Sequence, residues 1–238
     1  MFEWLDTNID YPLIAWINGF SQRSQILDRT VVDFMMLDSV RLLPIVTAVL
    51  VVALMRKSGS DTNRTFVVAL GGVFLALLVA RIAQNISERP RPIFADIPGF
   101  RIPFGTDSDI PADWSSIPSD TAALGFALAT AVFLGSRPLG VVCLLWALVV
   151  TSLPRIYAGY HYPSDIMAGG AIGVASVLAV AHVPPRRLIA LAERAMVRSQ
   201  PVYYGAVFVI LYATATMFFD LRQALSAMAG IVLASDTQ

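Results

Sequence analysis

The chain has 238 residues, equal numbers of acidic and basic side chains, 56% hydrophobic residues and only 14% charged ones. Its mean hydropathy of +0.67 is far more apolar than a soluble domain of this length can bury, and the zero net charge nominates no nucleic-acid partner. The solvent that suits such a chain is a lipid bilayer.

Residues 1–38 mix Trp4, Leu5, Ile9, Leu13, Ile14, Trp16 and Ile17 with Asp and Arg. No basic stretch precedes an uninterrupted apolar core, so this segment is predicted to lie along the membrane interface, neither spanning it nor serving as a signal peptide. Six apolar runs follow at 39–56, 65–87, 120–136, 138–154, 164–183 and 203–219, each near the spanning length of about 20 residues. The predicted fold class is all-α, a polytopic membrane bundle of about six transmembrane helices. Several runs are short, which requires tilt or local thinning, and Arg137-Pro138 alone divides the third from the fourth. The lone cysteine, Cys143, falls in an apolar run and is read as packing.

Basic residues set the orientation. One set of loops carries Arg56, Lys57, Arg64, Arg137, Arg186, Arg187, Arg194 and Arg198 against only Asp61 and Glu193, which makes that side cytoplasmic. The opposite, outer side receives residues 1–38, 88–119 and 154–164 and the C-terminus. Apart from Arg81 the spans hold few ionisable residues, which argues against a transporter.

Segment 88–119 is long for a mere connection. It runs Glu88-Arg89-Pro90-Arg91-Pro92, passes Asp96, Arg101, Asp107, Asp109 and Asp113, and ends Pro118-Ser119-Asp120-Thr121 against an apolar helix. Ser119 or Asp120 is a natural N-cap, and a helix N-terminus offers free N–H groups to a phosphate. The fourth run ends in Pro154-Arg155, with His161 and Asp165 just beyond. Each element alone has an ordinary structural explanation as an anchor or a cap. His161 stands out: it is one of two histidines and lies four residues from a carboxylate able to orient its ring. The other, His182, is read as interfacial.

Together these elements resemble the type 2 phosphatidic acid phosphatase superfamily, and within it the bacterial undecaprenyl-pyrophosphate phosphatases. The family's motifs are a Lys, six residues and Arg-Pro; then Pro-Ser-Gly-His; then Ser-Arg, five residues, His, three residues and Asp. Here the first ends at Arg91-Pro92, the second is Pro118-Ser119-Asp120-Thr121, and the third is Pro154-Arg155, His161 and Asp165. The resemblance extends from about residue 15 to 185. It implies an interfacial segment at 1–38, a phosphatase-like membrane core at 39–185, and a basic cytoplasmic loop with a last helix and tail at 186–238.

The resemblance further implies that His161 is a nucleophile taking the phosphoryl group while Asp165 holds its other ring nitrogen. Arg91, Arg155 and Ser119 clamp the phosphate oxygens without a metal or other cofactor. The expected partners are a lipid-linked phosphate or diphosphate and the bilayer itself, at the outer face of a bacterial inner membrane. The sequence leaves the oligomeric state open. Three positions depart from the motifs: Gln84 stands for the Lys, Asp120 for the Gly and Thr121 for the His. Arg81, one turn from Gln84, and nearby Arg89 offer replacement charge for phosphate binding. Thr121 is the serious change, since threonine is no general acid. Expelling an alkoxide, whose conjugate acid has a pKa of about 16, needs a proton, whereas expelling a phosphate of pKa about 6 does not. A diphosphate substrate therefore tolerates Thr121 better than a monophosphate. The rival reading is a catalytically inactive relative that binds a phosphorylated lipid or a partner protein.

Overall fold

The computed structural model describes residues 2–56, 59–107 and 115–216. Lys57, Asp109, Asp113 and the end of the last predicted run lie outside the described residues, as does the C-terminal tail. All regular elements among the described residues are helical. We number them α1 (3–18), α2 (Gln25–Met36), α3 (Asp38–Leu54), α4 (Gly59–Ile86), α5 (Asp120–Gly135), α6 (Arg137–Tyr157), α7 (Pro163–His182), α8 (Arg186–Arg198) and α9 (Gln200–Ala215).

Every predicted apolar run coincides with a helix, but the lengths do not support six self-sufficient spans. By length and composition α4, α6 and α7 each suffice to cross a membrane, and α2 with α3, bent by 47° between them, adds a fourth if taken as one. The physical reason for the short α5 is its place. It is apolar on all sides and sits at the centre, packed against α3, α4, α6 and α7, so it needs no lipid-facing length of its own. Lipid-type surface is found instead on the outer helices, where Phe74, Val142 and Phe208 point outward.

Small residues set the close approach of α5 to α7, as is common where helices pack without a hydrophobic drive between them. A Cβ placed on Gly169 would lie 2.2 Å from the Ser119 carbonyl oxygen, and one on Gly173 would lie 2.3 Å from that of Ala123. Both obstacles are backbone and cannot swing aside. The start of α5 is thereby pressed onto the start of α7.

Helix α6 runs further than predicted. Its residues Ala147–Ser152 form a π-helical stretch, with the Ser152 hydroxyl donating to the Ala147 carbonyl at 2.7 Å. The wider turn accommodates Pro154, which lacks an N–H and would otherwise break an α-helix. Arg155 thus sits in the last helical turn, not in the loop where the sequence suggested it. Beyond it Gly159 takes φ +77°, a conformation glycine adopts without strain. Its missing Cβ leaves room for the Phe100 ring, which a Cβ would meet at 2.4 Å.

The N-terminal segment packs over this end of the bundle. Asn18 donates to the carbonyl oxygens of Arg101 and Tyr157 at 2.7 and 3.1 Å, and Asp28 accepts from Tyr157 and from the Phe104 N–H. Asp10, fully buried, accepts from the Ser164 N–H at 2.9 Å and the Ser164 hydroxyl at 2.6 Å. One of the unpaired N–H groups at the start of α7 is therefore satisfied by a side chain from α1.

Replacing Gly169 by Ala is expected to force α5 and α7 apart and destabilise the fold by about 1–3 kcal/mol. A lowered unfolding midpoint in detergent, larger than that of Ala replacing the lipid-facing Gly205, checks this.

Candidate active site

The predicted residues Ser119, Asp120, Thr121, Arg155, His161 and Asp165, with Arg91, gather where the starts of α5 and α7 meet the end of α6. Two backbone bonds weld the segments together: the Ser119 N–H donates to the Asp165 carbonyl at 3.1 Å, and the Ser116 N–H to the Arg89 carbonyl at 2.9 Å. Ser119 caps α5 through its hydroxyl, which accepts from the Ala122 N–H at 3.4 Å. The Arg155 carbonyl accepts from the N–H groups of Tyr160 and His161 at 2.8 and 3.3 Å. This turn brings the His161 ring inward, where only 2% of the residue is exposed.

The ring's partner differs from the one expected. Nδ1 of His161 lies 2.9 Å from the carbonyl oxygen of Ser116, while Asp165 Oδ2 is 3.7 Å away, too far for a hydrogen bond. A carbonyl only accepts, so Nδ1 carries the proton and Nε2 presents a lone pair. Asp165 stays close enough to stabilise positive charge on the ring, but its carboxylate is committed elsewhere: Oδ2 accepts from the Tyr162 N–H at 2.8 Å and Oδ1 from Arg89 at 2.7 Å. Burial, with Arg155 and Arg91 adding to it against Asp165, pushes the His161 pKa below the ordinary imidazole value. The neutral form of the ring is thereby favoured.

Arg89 is corrected most plainly. It is no spare cation for phosphate. It lies 3% exposed, and its guanidinium pairs with Asp6, with Asp10 at 2.6 Å and with Asp165 at 2.7 Å, and donates to the Ser164 hydroxyl at 2.8 Å. It also stacks on the Tyr162 ring, 3.8 Å from the centroid. Burial disfavours the cation, but the three carboxylates outweigh it and raise its pKa. Gln84 is likewise occupied, its amide donating to the Pro118 carbonyl at 2.9 Å. It braces the segment that carries Ser119 and supplies no charge. Arg81 is exposed and acts electrostatically on Asp120.

Arg91 and Arg155 differ from Arg89. Among the described residues neither pairs with a carboxylate at salt-bridge distance, and the buried Nε of each has no hydrogen-bond partner. Burial lowers the Arg91 pKa in spite of Asp120 and Asp165, a cost an arriving anion would relieve. Thr121 is fully buried, and its N–H and hydroxyl both face Asp120 Oδ1, at 2.7 and 3.3 Å.

Two participants carried no motif signal. Asp10 was read as part of an interfacial stretch, and nothing local marks a partner 154 positions away. Arg41 lies inside the first predicted span, where an ionisable residue is itself a functional flag. It is 4% exposed and within electrostatic reach of Arg155 and Asp120. Its carbonyl accepts from Trp146 and Thr151, which fastens α3 to α6 just below Arg155.

A bundle of apolar helices, three of them long enough to cross a membrane, with a buried histidine under the influence of Arg91 and Arg155 at one end, defines a helical membrane protein. The chain belongs to the PAP2 superfamily, whose model matches residues 65–189. It is 26% identical over 175 residues to undecaprenyl-diphosphatase BcrC of Bacillus subtilis, covering 71% of this chain and 80% of that one. It is 29% identical over 145 residues to the bacitracin transport permease protein BcrC of Bacillus licheniformis, covering 58% and 68%. A third relative, the decaprenylphosphoryl-5-phosphoribose phosphatase of Mycobacterium tuberculosis, is 31% identical over 111 residues, 47% of this chain and 56% of that one. The crystal structure of Aquifex aeolicus LpxE shares the fold, with a TM-score of 0.54 at 23% identity over 72% of this chain and 93% of that one.

Replacing Arg89 by Gln leaves three carboxylates around an uncharged amide and is expected to cost about 3–5 kcal/mol of stability. Arg91→Gln, which removes an unpaired cation, should leave the unfolding midpoint unchanged or raised. Thermal unfolding of the two variants side by side checks the contrast.

Proposed function

We propose that the protein is a lipid-phosphate phosphatase or phosphotransferase that takes the terminal phosphoryl group of a polyprenyl or similar lipid-linked diphosphate onto His161. The observation that carries this reading is one arrangement: His161 with Nδ1–H on the Ser116 carbonyl and Nε2 left to present a lone pair, beside Arg91 and Arg155, neither of which meets a carboxylate at salt-bridge distance among the described residues. Nε2 forms a bond to phosphorus as the bond to the leaving oxygen breaks, and the leaving lipid phosphate departs with the electron pair. Arg91, Arg155 and the Ser119 hydroxyl hold the three equatorial oxygens as charge redistributes. Asp165 stabilises the charge that appears on the ring, and Arg89 keeps Asp165 in place. The names of the relatives, two phosphatases of polyprenyl substrates among them, support this substrate class. The run of basic residues on the opposite loops supports an outer-face site in a bacterial inner membrane, with Trp4 and Trp16 at the interface.

The test is phosphate release by the purified protein from a panel of lipid phosphates and diphosphates. His161→Ala is expected to abolish release and keep lipid binding, since the arginines remain. Release at an unchanged rate in the variant would refute the nucleophile. Lipid binding without release in the unaltered chain would favour the inactive relative.

Thr121 stands where the family's leaving-group acid belongs, so the leaving group decides the rate. Introducing Thr121→His should raise hydrolysis of a lipid monophosphate by up to about 100-fold while changing that of a diphosphate far less, because only an alkoxide needs the proton. Equal gains on both, measured as kcat on matched substrates, would show that the leaving group is not limiting.

A further inference from the structure

The substitution of Thr for the motif His removes an acid, yet the neighbouring substitution of Asp for the motif Gly adds a carboxylate at the same place. The two side chains are coupled. Oδ1 of Asp120 accepts both the N–H of Thr121, at 2.7 Å, and its hydroxyl, at 3.3 Å. Oδ2 accepts no hydrogen bond among the described residues. The carboxylate is therefore oriented by one oxygen and open at the other.

Its surroundings are those of the reacting ring. The segment 116–120 runs alongside His161: the Ser116 carbonyl accepts a hydrogen bond from Nδ1–H at 2.9 Å, the Ser119 N–H donates to the Asp165 carbonyl at 3.1 Å, and Asp120 follows next. Asp120 acts electrostatically on His161 and Arg155, and also meets the fields of Arg41, Arg81 and Arg91. Asp165 cannot share its task, because both its oxygens are occupied by Arg89 and the Tyr162 N–H.

Resting on the phosphatase reading above, we propose that Asp120 is the general base of the second half-reaction, in which water hydrolyses phosphorylated His161, and that Thr121 orients it. A carboxylate is ionised at neutral pH, so it is ill suited to protonate a leaving group and well suited to accept a proton from water. In this step the water oxygen forms a bond to phosphorus, the N–P bond breaks, and its electron pair returns to Nε2. One water proton passes to Oδ2 of Asp120 and then to solvent. The ring leaves as neutral imidazole, its proton still on Nδ1 and hydrogen-bonded to the Ser116 carbonyl. Nothing else is consumed. The pairing of Asp120 with Thr121 thus fits a diphosphate substrate, whose first step needs no acid and whose second needs a base.

The test uses the full-length protein in detergent micelles and a polyprenyl diphosphate radiolabelled in its terminal phosphate, with an unlabelled chase. Asp120→Asn should still acquire the covalent label, stable in base and labile in acid as an N–P bond is. Its loss during the chase should be slower by about 100- to 10,000-fold, the usual worth of a positioned base, so that the label accumulates. Asp120→Glu should recover part of the rate, and His161→Ala should acquire no label. Label loss at the unaltered rate in Asp120→Asn would overturn the proposal. So would a folded Asp120→Asn variant that acquires no label, since Asp120 would then belong to the phosphate grip. Neither label nor phosphate release from the unaltered chain would sink the phosphatase reading, and this inference with it. Phosphate release by the unaltered chain together with no label in any variant would overturn the inference and leave the hydrolysis standing.

Discussion

The buried guanidinium of Arg89 is the constraint on which the rest of the site depends. Isolated, such a charge would be prohibitively costly. Here it is surrounded by Asp6 and Asp10 from α1 and Asp165 from α7, and the two fully buried carboxylates, Asp10 and Asp165, would be costly without it. The cluster is therefore stable only when complete. Its backbone extends the effect, because the Arg89 carbonyl anchors Ser116, and Ser116 in turn fixes the tautomer of His161. Three stretches far apart in sequence are brought into register by one residue.

Charge is sorted across the imidazole. On the side of α1 the carboxylates outnumber the one arginine that binds them. On the side of α5 and α6 Arg91 and Arg155 face a single carboxylate, Asp120, with Arg41 behind. Asp165, 3.7 Å away, favours the charged ring, but burial first and then Arg155 and Arg91 outweigh it and lower the His161 pKa.

What the sequence disclosed was the part written in short-range spacing. Arg155, His161 and Asp165 fall within one helix end and the start of the next, and Ser119 caps a helix beginning beside them, so local pattern sufficed to nominate them. The roles of Arg89 and Gln84 were not legible, because a side chain's charge does not say which partner it will meet. Arg89 met carboxylates from α1, and Gln84 met a backbone carbonyl. Counting apolar runs identified the helices but did not tell their roles apart, since hydropathy cannot distinguish a helix that faces lipid from α5, which is packed mainly against other helices. Pro154 suggested an ending where the π-helical stretch before it lets α6 continue.

The bond between Asp10 and Ser164 also bears on how the molecule is made. The two residues are separated by 154 positions, and chains are synthesised at about 5–20 residues per second. For a time on the order of ten seconds α1 exists without the helix it caps and without Arg89 fully enclosed. During that interval Asp6 and Asp10 need water, which keeps α1 at the surface while the later helices insert. Only when α7 arrives do its free N–H groups offer Asp10 a replacement for that water. Completion of the site is thus tied to the arrival of α7, and a chain that has not yet inserted α7 cannot present the finished arrangement around His161.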